Sequence, residues 1–256
     1  MKKIAIVIPA HNEEKRIEKI LKHYIPYFKG LKQNKVLDFK LIIVLNACKD
    51  NTRSVVEKYK TNELKILEFE KGGKGFAIIK GFKEALNEDY DFIGFVDADM
   101  STPPEAFYDL IENIENVDGV IANRWDKRSK VTPQPVFRRI ISRVFNIIIR
   151  SFFLLPHRDT QCGAKIFKKE LLRKITPKLG ASEWSFDVDL LFYARRENAK
   201  IISIPTVWND DADSHVNLKK TPITMFLSVL RLRLVHSPFK FIVKVYKKLP
   251  DKLKFH

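Results

Sequence analysis

Residues 91–104, Asp-Phe-Ile-Gly-Phe-Val-Asp-Ala-Asp-Met-Ser-Thr-Pro-Pro, decide how this chain is read. An apolar strand over 92–96 runs straight into two carboxylates one residue apart, Asp97 and Asp99. Open α/β sheets bind ligands in the crevice beyond the carboxyl ends of their strands, so both acids stand where a ligand is expected. Two hard oxygen donors with open coordination positions suit Mg²⁺ or Mn²⁺ carrying a diphosphate. The plainer role for acids at such a place is to cap the next helix.

Working outward, the first half of the chain alternates strand and helix signals. Residues 4–8 are apolar; Ile17, Ile20, Leu21, Tyr24 and Phe28 fall at helical spacing; residues 41–45 are apolar again. A helix over 52–60, a strand over 64–69 and a helix over 75–86 lead into the strand that delivers Asp97. This βαβαβαβ pattern predicts an α/β fold with a mostly parallel sheet flanked by helices. Its strand-end loops, His11-Asn12-Glu13, residues 46–50, residues 71–75 and Asp97-Ala98-Asp99, then share one edge. Beyond Pro104 the pattern predicts a helix over 105–114 and a strand over 117–122. A polar loop over 123–135 and an amphipathic helix within 133–156 come next, then a strand over 164–167, a helix over 187–197 and a strand over 200–204. Two basic amphipathic helices, 222–235 and 239–248, break at Pro238. The expected division is a catalytic domain over 1–210 and a basic amphipathic tail over 211–256.

Bulk composition narrows the class. A chain of 256 residues with 45% hydrophobic content can bury one full core. Two cysteines, Cys48 and Cys162, are too few for a disulfide framework and lack metal-ligand spacing, which fits a reducing, cytoplasmic setting. No apolar run reaches the length of a membrane span, and the N-terminal apolar run is too short for a secretion signal and reads as a first strand. The net charge of +16 is unevenly placed: Lys127, Arg128, Lys130, Arg138, Arg139, Arg143 and Arg150 occur with no acid among them, and residues 215–256 carry a single acid, Asp251. Such segments fit an anionic membrane surface, nucleic acid, or a solvated helix face.

Two further stretches carry chemistry. Lys71-Gly72-Gly73-Lys74-Gly75 precedes a helix, where backbone N–H groups and lysines can meet an anion, although it is not a Walker loop because the spacing and the Ser/Thr are missing. In Val7-Ile8-Pro9-Ala10-His11-Asn12-Glu13-Glu14 the strand ends at a proline, and the polar residues after it can read a base or ribose; Asn12 is also a plausible helix cap.

Together these motifs resemble glycosyltransferase family 2, the inverting GT-A enzymes. Asp159-Thr160-Gln161-Cys162-Gly163-Ala164-Lys165 and Trp184-Ser185-Phe186-Asp187-Val188-Asp189 are similar to the dolichyl-phosphate β-glucosyltransferase branch. The resemblance spans roughly residues 4–210. It implies a GT-A fold and a sugar nucleotide held by Pro9, Ala10, Asn12, Glu13, Asn46, Lys71, Lys74, Gly75, Asp97, Ala98 and Asp99. Asp99 is then the direct ligand of Mg²⁺ or Mn²⁺, and Asp97 a ribose, diphosphate or metal contact. It places Arg124, Arg138, Arg139 and Ser142 at the phosphate of a polyprenyl or dolichyl phosphate acceptor, and Asp159, Gln161, Trp184 and Asp187 around the sugar. Asp187 either orients the sugar or acts as base, with helix capping as the alternative. His157 and Arg158 fall in the loop beside the sugar pocket, and Ser214, His215 and Asn217 in a closing loop.

One departure stands out. Where the family carries Val-Asp-Asp-Gly-Ser, this chain has Val44-Leu45-Asn46-Ala47-Cys48. The amide of Asn46 can still pair with a uracil edge, and a UDP-sugar, with glucose as the hexose, remains the expected donor. GDP-mannose, UDP-N-acetylglucosamine or a glycan hydroxyl acceptor are the near alternatives, and nucleic-acid binding or an inactive scaffold the distant ones. No nucleic-acid partner is expected, since the basic tail has no binding motif behind it. A spanless enzyme acting on a lipid phosphate is expected on the cytoplasmic face of a membrane, as a peripheral protein.

Overall fold

The structure, a computed structural model, describes residues 1–133, 136–180, 186–209 and 232–234. Trp184, Ser214, His215, Asn217 and the two helices expected over 222–248 lie outside the described residues, Leu232–Leu234 excepted. The elements run β1 (Lys2–Ala10), α1 (Ile17–Gln33), β2 (Leu37–Asn46), α2 (Thr52–Glu57), β3 (Leu64–Phe69), α3 (Lys74–Leu86), β4 (Phe92–Val96) and α4 (Pro104–Glu112). They continue as β5 (Gly119–Asn123), β6 (Lys130–Val131), α5 (Val136–Phe153), β7 (Ala164–Lys168), α6 (Lys169–Ile175), a 3-10 turn (Thr176–Lys178), α7 (Phe186–Arg196), β8 (Ile201–Pro205) and β9 (Val207–Trp208).

Seven strands form one sheet in the order β3-β2-β1-β4-β7-β5-β8, and β6 pairs with β9 in a small second sheet. β1 is apolar without alternation because helices cover both of its faces. Ile4, Ile6 and Ile8 join the core layer beneath α1 and α4, while Ala5 and Val7 join the layer beneath α3, α6 and α7. The strand order turns back between β1 and β4, which pair in parallel. A crevice therefore opens beyond their carboxyl ends, between the loop at residues 11–13 and Asp97–Asp99.

Strand direction is the feature that periodicity does not carry. β7 runs antiparallel to both β4 and β5, with Val96 opposite Ala164 and Phe95 opposite Lys165. An antiparallel neighbour begins where β4 ends, so the loop over 159–163 arrives beside Asp97, and the Asp97 N–H donates to the Gly163 carbonyl at 3.1 Å. Helix α6 and the β6–β9 pair were not anticipated either. The strands of that pair are two residues long and the helix seven, too short for a periodic signal.

Candidate functional site

The crevice is lined by Pro9, His11, Glu13, Arg16, Asn46, Lys74, Asp97, Ala98 and Asp99. The backbone that shapes it is strained: Asn12, Ala47 and Met100 hold φ of 54°, 52° and 60° just past the ends of β1, β2 and β4, and Gly73 holds 116° before α3. Left-handed conformations cost non-glycine residues free energy and cluster where loops must present groups to a ligand.

Asp97 and Asp99 share the crevice with Lys74 and with Arg16, which is paired to Glu13. Lys74 Nζ lies 2.6 Å from Asp97 Oδ1 and 4.0 Å from Asp187 Oδ2. Burial, together with the negative charge of Asp99, raises the Asp97 pKa, while Lys74 opposes them. Burial alone would depress Lys74, but the Asp97 and Asp187 carboxylates outweigh it and raise its pKa. Asp99 Oδ1 accepts from the Ser101 N–H at 2.9 Å, which turns the loop after β4. Gly163 passes directly under Asp97: a methyl group in place of its hydrogen would fall 1.9 Å from Oδ2. The Asp97 carboxylate and the Gly163 backbone are therefore packed as one unit.

Around them the β1 and β2 loops are stitched together. With its amide turned to suit its neighbours, Asn46 donates from Nδ2 to the Ala10 carbonyl at 2.7 Å and accepts at Oδ1 from the Gly73 N–H at 3.1 Å. Its own carbonyl accepts from His11 Nδ1 at 2.6 Å. Asn46 is 2% exposed. It thus uses both ends of its amide on the protein's own backbone, where the sequence suggested a uracil edge. An aspartate could not make the bond to Ala10, because it has no donor. Glu13 forms a two-point pair with Arg16, at 2.6 and 2.8 Å. Burial still raises the Glu13 pKa against that neighbour.

The residues expected at the sugar nucleotide come together only in part. Pro9, Glu13, Asn46, Lys74, Asp97, Ala98 and Asp99 face the crevice. Ala10 is fully buried at the end of β1. Asn12 turns its Oδ1 to the Lys49 N–H at 2.8 Å, Lys71 lies over the Phe76 ring, and Gly75 is buried in the first turn of α3. His11, in the strand-end loop read from the sequence, also lines the crevice, as does Arg16, which was missed. The only cue for Arg16 was its place three residues after Glu13, one helical turn away.

On the acceptor side the structure corrects one assignment. Asp159, expected in the sugar pocket, is 0% exposed and accepts from Arg124 at Nε (2.7 Å), Nη2 (2.9 Å) and the backbone N–H (3.1 Å). Burial would raise the Asp159 pKa, but the Arg124 guanidinium outweighs it and holds it below the usual carboxylate range. Asp159 is thus a buried anchor for Arg124, whose other face rests on Trp208, 5.3 Å from the ring centroid. Gln161 is half-buried beside it. Asn123, Asp126, Lys127, Arg128 and Arg158 line a second, shallow cleft. On α5, Arg139 is exposed and Ser142 half-buried, while the side chain of Arg138 lies outside the described residues. Asp187, in the first turn of α7, is paired with Lys165, a fully buried lysine that sequence reading passed over.

Among the described residues no cluster of three or more His, Cys, Asp or Glu side chains makes a complete metal cage. The pair Asp97 and Asp99 nevertheless fits a hard divalent cation that takes its other ligands from a diphosphate and water. No helix among the described residues is long and apolar enough to cross a membrane.

A sheet that reverses order at an acidic strand-end pair, with a basic loop behind it, defines the GT-A class of nucleotide-sugar transferase folds. Solved structures agree. Glucosyl-3-phosphoglycerate synthase from Mycobacterium tuberculosis, in complex with Mn²⁺, UDP and glucosyl-3-phosphoglycerate, matches with a TM-score of 0.66 at 17% identity, over 92% of this chain and 79% of that one. TarS from S. aureus matches with a TM-score of 0.58 at 21% identity, over 92% and 65%. The model of glycosyl transferase family 2 matches residues 5–176, and the chain belongs to that family; it is a glycosyltransferase. Among curated relatives, dolichyl-phosphate β-glucosyltransferase from Dictyostelium discoideum is 26% identical over 95% of this chain and 76% of its own length. One from Trichomonas vaginalis is 29% identical over 83% and 65%, and the Homo sapiens enzyme 26% identical over 82% and 68%. The chain thus spans about two thirds to three quarters of these relatives.

Proposed function

We propose that this glycosyltransferase moves a hexose, glucose from UDP-glucose, onto a dolichyl or polyprenyl phosphate with inversion at the anomeric carbon. The observation that carries the reading is the Asp97-Ala98-Asp99 pair at the β1/β4 crevice with Lys74 beside it, in a family-2 chain whose relatives are named for dolichyl phosphate. Asp97 and Asp99 would hold Mg²⁺ or Mn²⁺, which when bound neutralises charge on the departing diphosphate. Lys74 adds a cation on the same side. An oxygen of the acceptor phosphate forms the new bond to the anomeric carbon as the bond to the donor's β-phosphate oxygen breaks, and the electron pair leaves with UDP. A phosphate monoester arrives as an anion, so the step needs cationic positioning more than a base. Arg124 suits that role, because Asp159 engages Nε and Nη2 and so fixes the guanidinium in one orientation.

The acceptor's lipid tail implies work at a membrane surface, on the cytoplasmic face. α5 supports this, because Val144, Ile147, Phe152 and the following Leu154 are exposed beside the exposed Arg139 and Arg143. Basic residues near anionic lipid contribute about 1 kcal/mol each. Residues 1–210 would then be the catalytic domain and 211–256 an accessory basic tail.

The deciding assay offers several labelled sugar nucleotides with a polyprenyl phosphate, with and without Mn²⁺. Labelled lipid from UDP-glucose, lost in Asp99→Ala, is the expected result. No transfer from any donor, or an Asp99→Ala variant equal to the parent, refutes the reading. Flotation with anionic vesicles tests the membrane surface, and recovery of all protein in the soluble fraction refutes it.

A further inference from the structure

Lys165 is a lysine with no exposure at all, on β7, an interior strand of the sheet, directly opposite Phe95 of β4. An ammonium group there is tolerated only if its charge and protons are met. Lys165 Nζ donates to the Cys162 carbonyl at 2.7 Å and to Asp187 Oδ1. It lies over the face of the Phe95 ring, 5.2 Å from the centroid, and Lys74 Nζ approaches the same ring at 5.9 Å. Two ammonium groups sharing one ring would repel each other without the Asp187 carboxylate, which faces Lys165 with Oδ1 and Lys74 with Oδ2. Asp187 is further suited to its place by the first turn of α7, where the helix dipole favours negative charge.

The charges therefore alternate from the interior to the crevice: Lys165, Asp187, Lys74, Asp97. Lys74 has two carboxylate partners, and one of them, Asp97, also faces the donor site. The other, Asp187, is held from behind. We propose that Lys165 is a positioning residue of the transfer site: it fixes Asp187, and Asp187 fixes Lys74 over the diphosphate pocket. The proposal rests on the function above only in naming what Lys74 faces when a donor is bound.

The test compares the parent with Lys165→Met, Asp187→Asn and the double variant. Thermal midpoints are read alongside the rate at which acetic anhydride acetylates Lys74, followed by mass spectrometry. Removing Lys165 alone leaves Asp187 without its buried partner and lowers the midpoint. Removing both charges returns the midpoint toward the parent's, since a buried pair replaced by neutral groups is often close to neutral in stability. Lys74 should nonetheless acetylate about two- to fivefold faster in the double variant, the effect of losing one partly exposed ion pair. A merely structural pair gives a different result: the double variant that regains its midpoint also regains the parent's Lys74 rate, and that outcome overturns the proposal. So does a Lys165→Met variant with the parent's midpoint and rate. Because the Lys74 readout needs no donor, a chain that transfers no sugar yet shows the rate change refutes the proposed function and leaves this coupling standing.

Discussion

Replacing Gly163 by alanine adds one methyl group at the place where the site has no room for it. That methyl would stand 1.9 Å from Asp97 Oδ2, 2.3 Å from Cγ and 2.9 Å from Oδ1, whereas real Cβ atoms stay beyond 3.0 Å. The backbone of Gly163 is not in the left-handed region, so alanine is conformationally acceptable and all of the effect comes through the contact. The Asp97 carboxylate must retreat from 1.9 Å to beyond 3.0 Å, taking with it the 2.6 Å pair to Lys74. A misplacement of about 1 Å in a group at the reacting centre costs about a hundredfold in rate, or about 2.7 kcal/mol of transition-state stabilisation. Global stability should change far less, because alanine also restricts the unfolded chain by about 0.4–1 kcal/mol in favour of folding. Steady-state transfer to polyprenyl phosphate, calorimetry with UDP and Mn²⁺, and a thermal melt separate these effects. Gly72→Ala is the control, since its added methyl meets only the Ala47 Cβ at 3.6 Å and should leave transfer near the parent's. Parent-level transfer and UDP affinity in a folded Gly163→Ala protein would refute the reasoning.

Three other substitutions test the framework around the site. Asn46→Asp removes the amide donor to the Ala10 carbonyl, leaves the weaker Cys48 thiol contact at 3.4 Å, and sets a carboxylate against that carbonyl, so urea unfolding should show a loss of about 1–3 kcal/mol; an unchanged midpoint contradicts the assigned amide orientation. His157 is pushed from 6.5 to about 4 by burial, with Lys165 and Arg150 adding to the shift. Below pH 6.5 the unfolded chain takes up this proton before the folded one, so its stability contribution is complete above that pH and is lost as pH falls toward 4, on the order of 3 kcal/mol in all. His157→Gln should flatten the dependence of the melting temperature on pH between 4 and 6.5, and an equal slope in both proteins refutes the assignment. Gly30→Ala, in α1 with nothing within 4 Å of the added methyl, should raise stability by about 0.5–1 kcal/mol with transfer unchanged.

How far the fold was legible follows from what each signal encodes. Periodicity located β1 to β4 and their helices, because a strand buried on both faces and an amphipathic helix leave different patterns in the chain. The Asp97 and Asp99 pair was legible for the same reason, as polar residues at the end of an apolar run. What periodicity omits is the direction of a strand and its neighbours in the sheet. β7 reads as small and apolar residues with two lysines, Lys165 and Lys168, in either direction. Only the antiparallel direction lays the start of the strand beside the end of β4.

That direction accounts for the unforeseen parts of the site together. It brings Gly163 under Asp97 and sets Lys165 opposite Phe95, so that its ammonium meets Asp187. The loop before it carries Asp159 back to Arg124, 35 residues earlier in the chain. Acids and bases that look alike in sequence thereby take different roles. Asp97 faces the crevice and is 33% exposed, while Asp159 is sealed beneath an arginine. A carboxylate buried with both oxygens on one guanidinium is placed to hold that arginine rather than to meet a sugar. The same logic sorts Lys74 from Lys165: one is within reach of a ligand, and the other, with no exposure, can act only through Asp187.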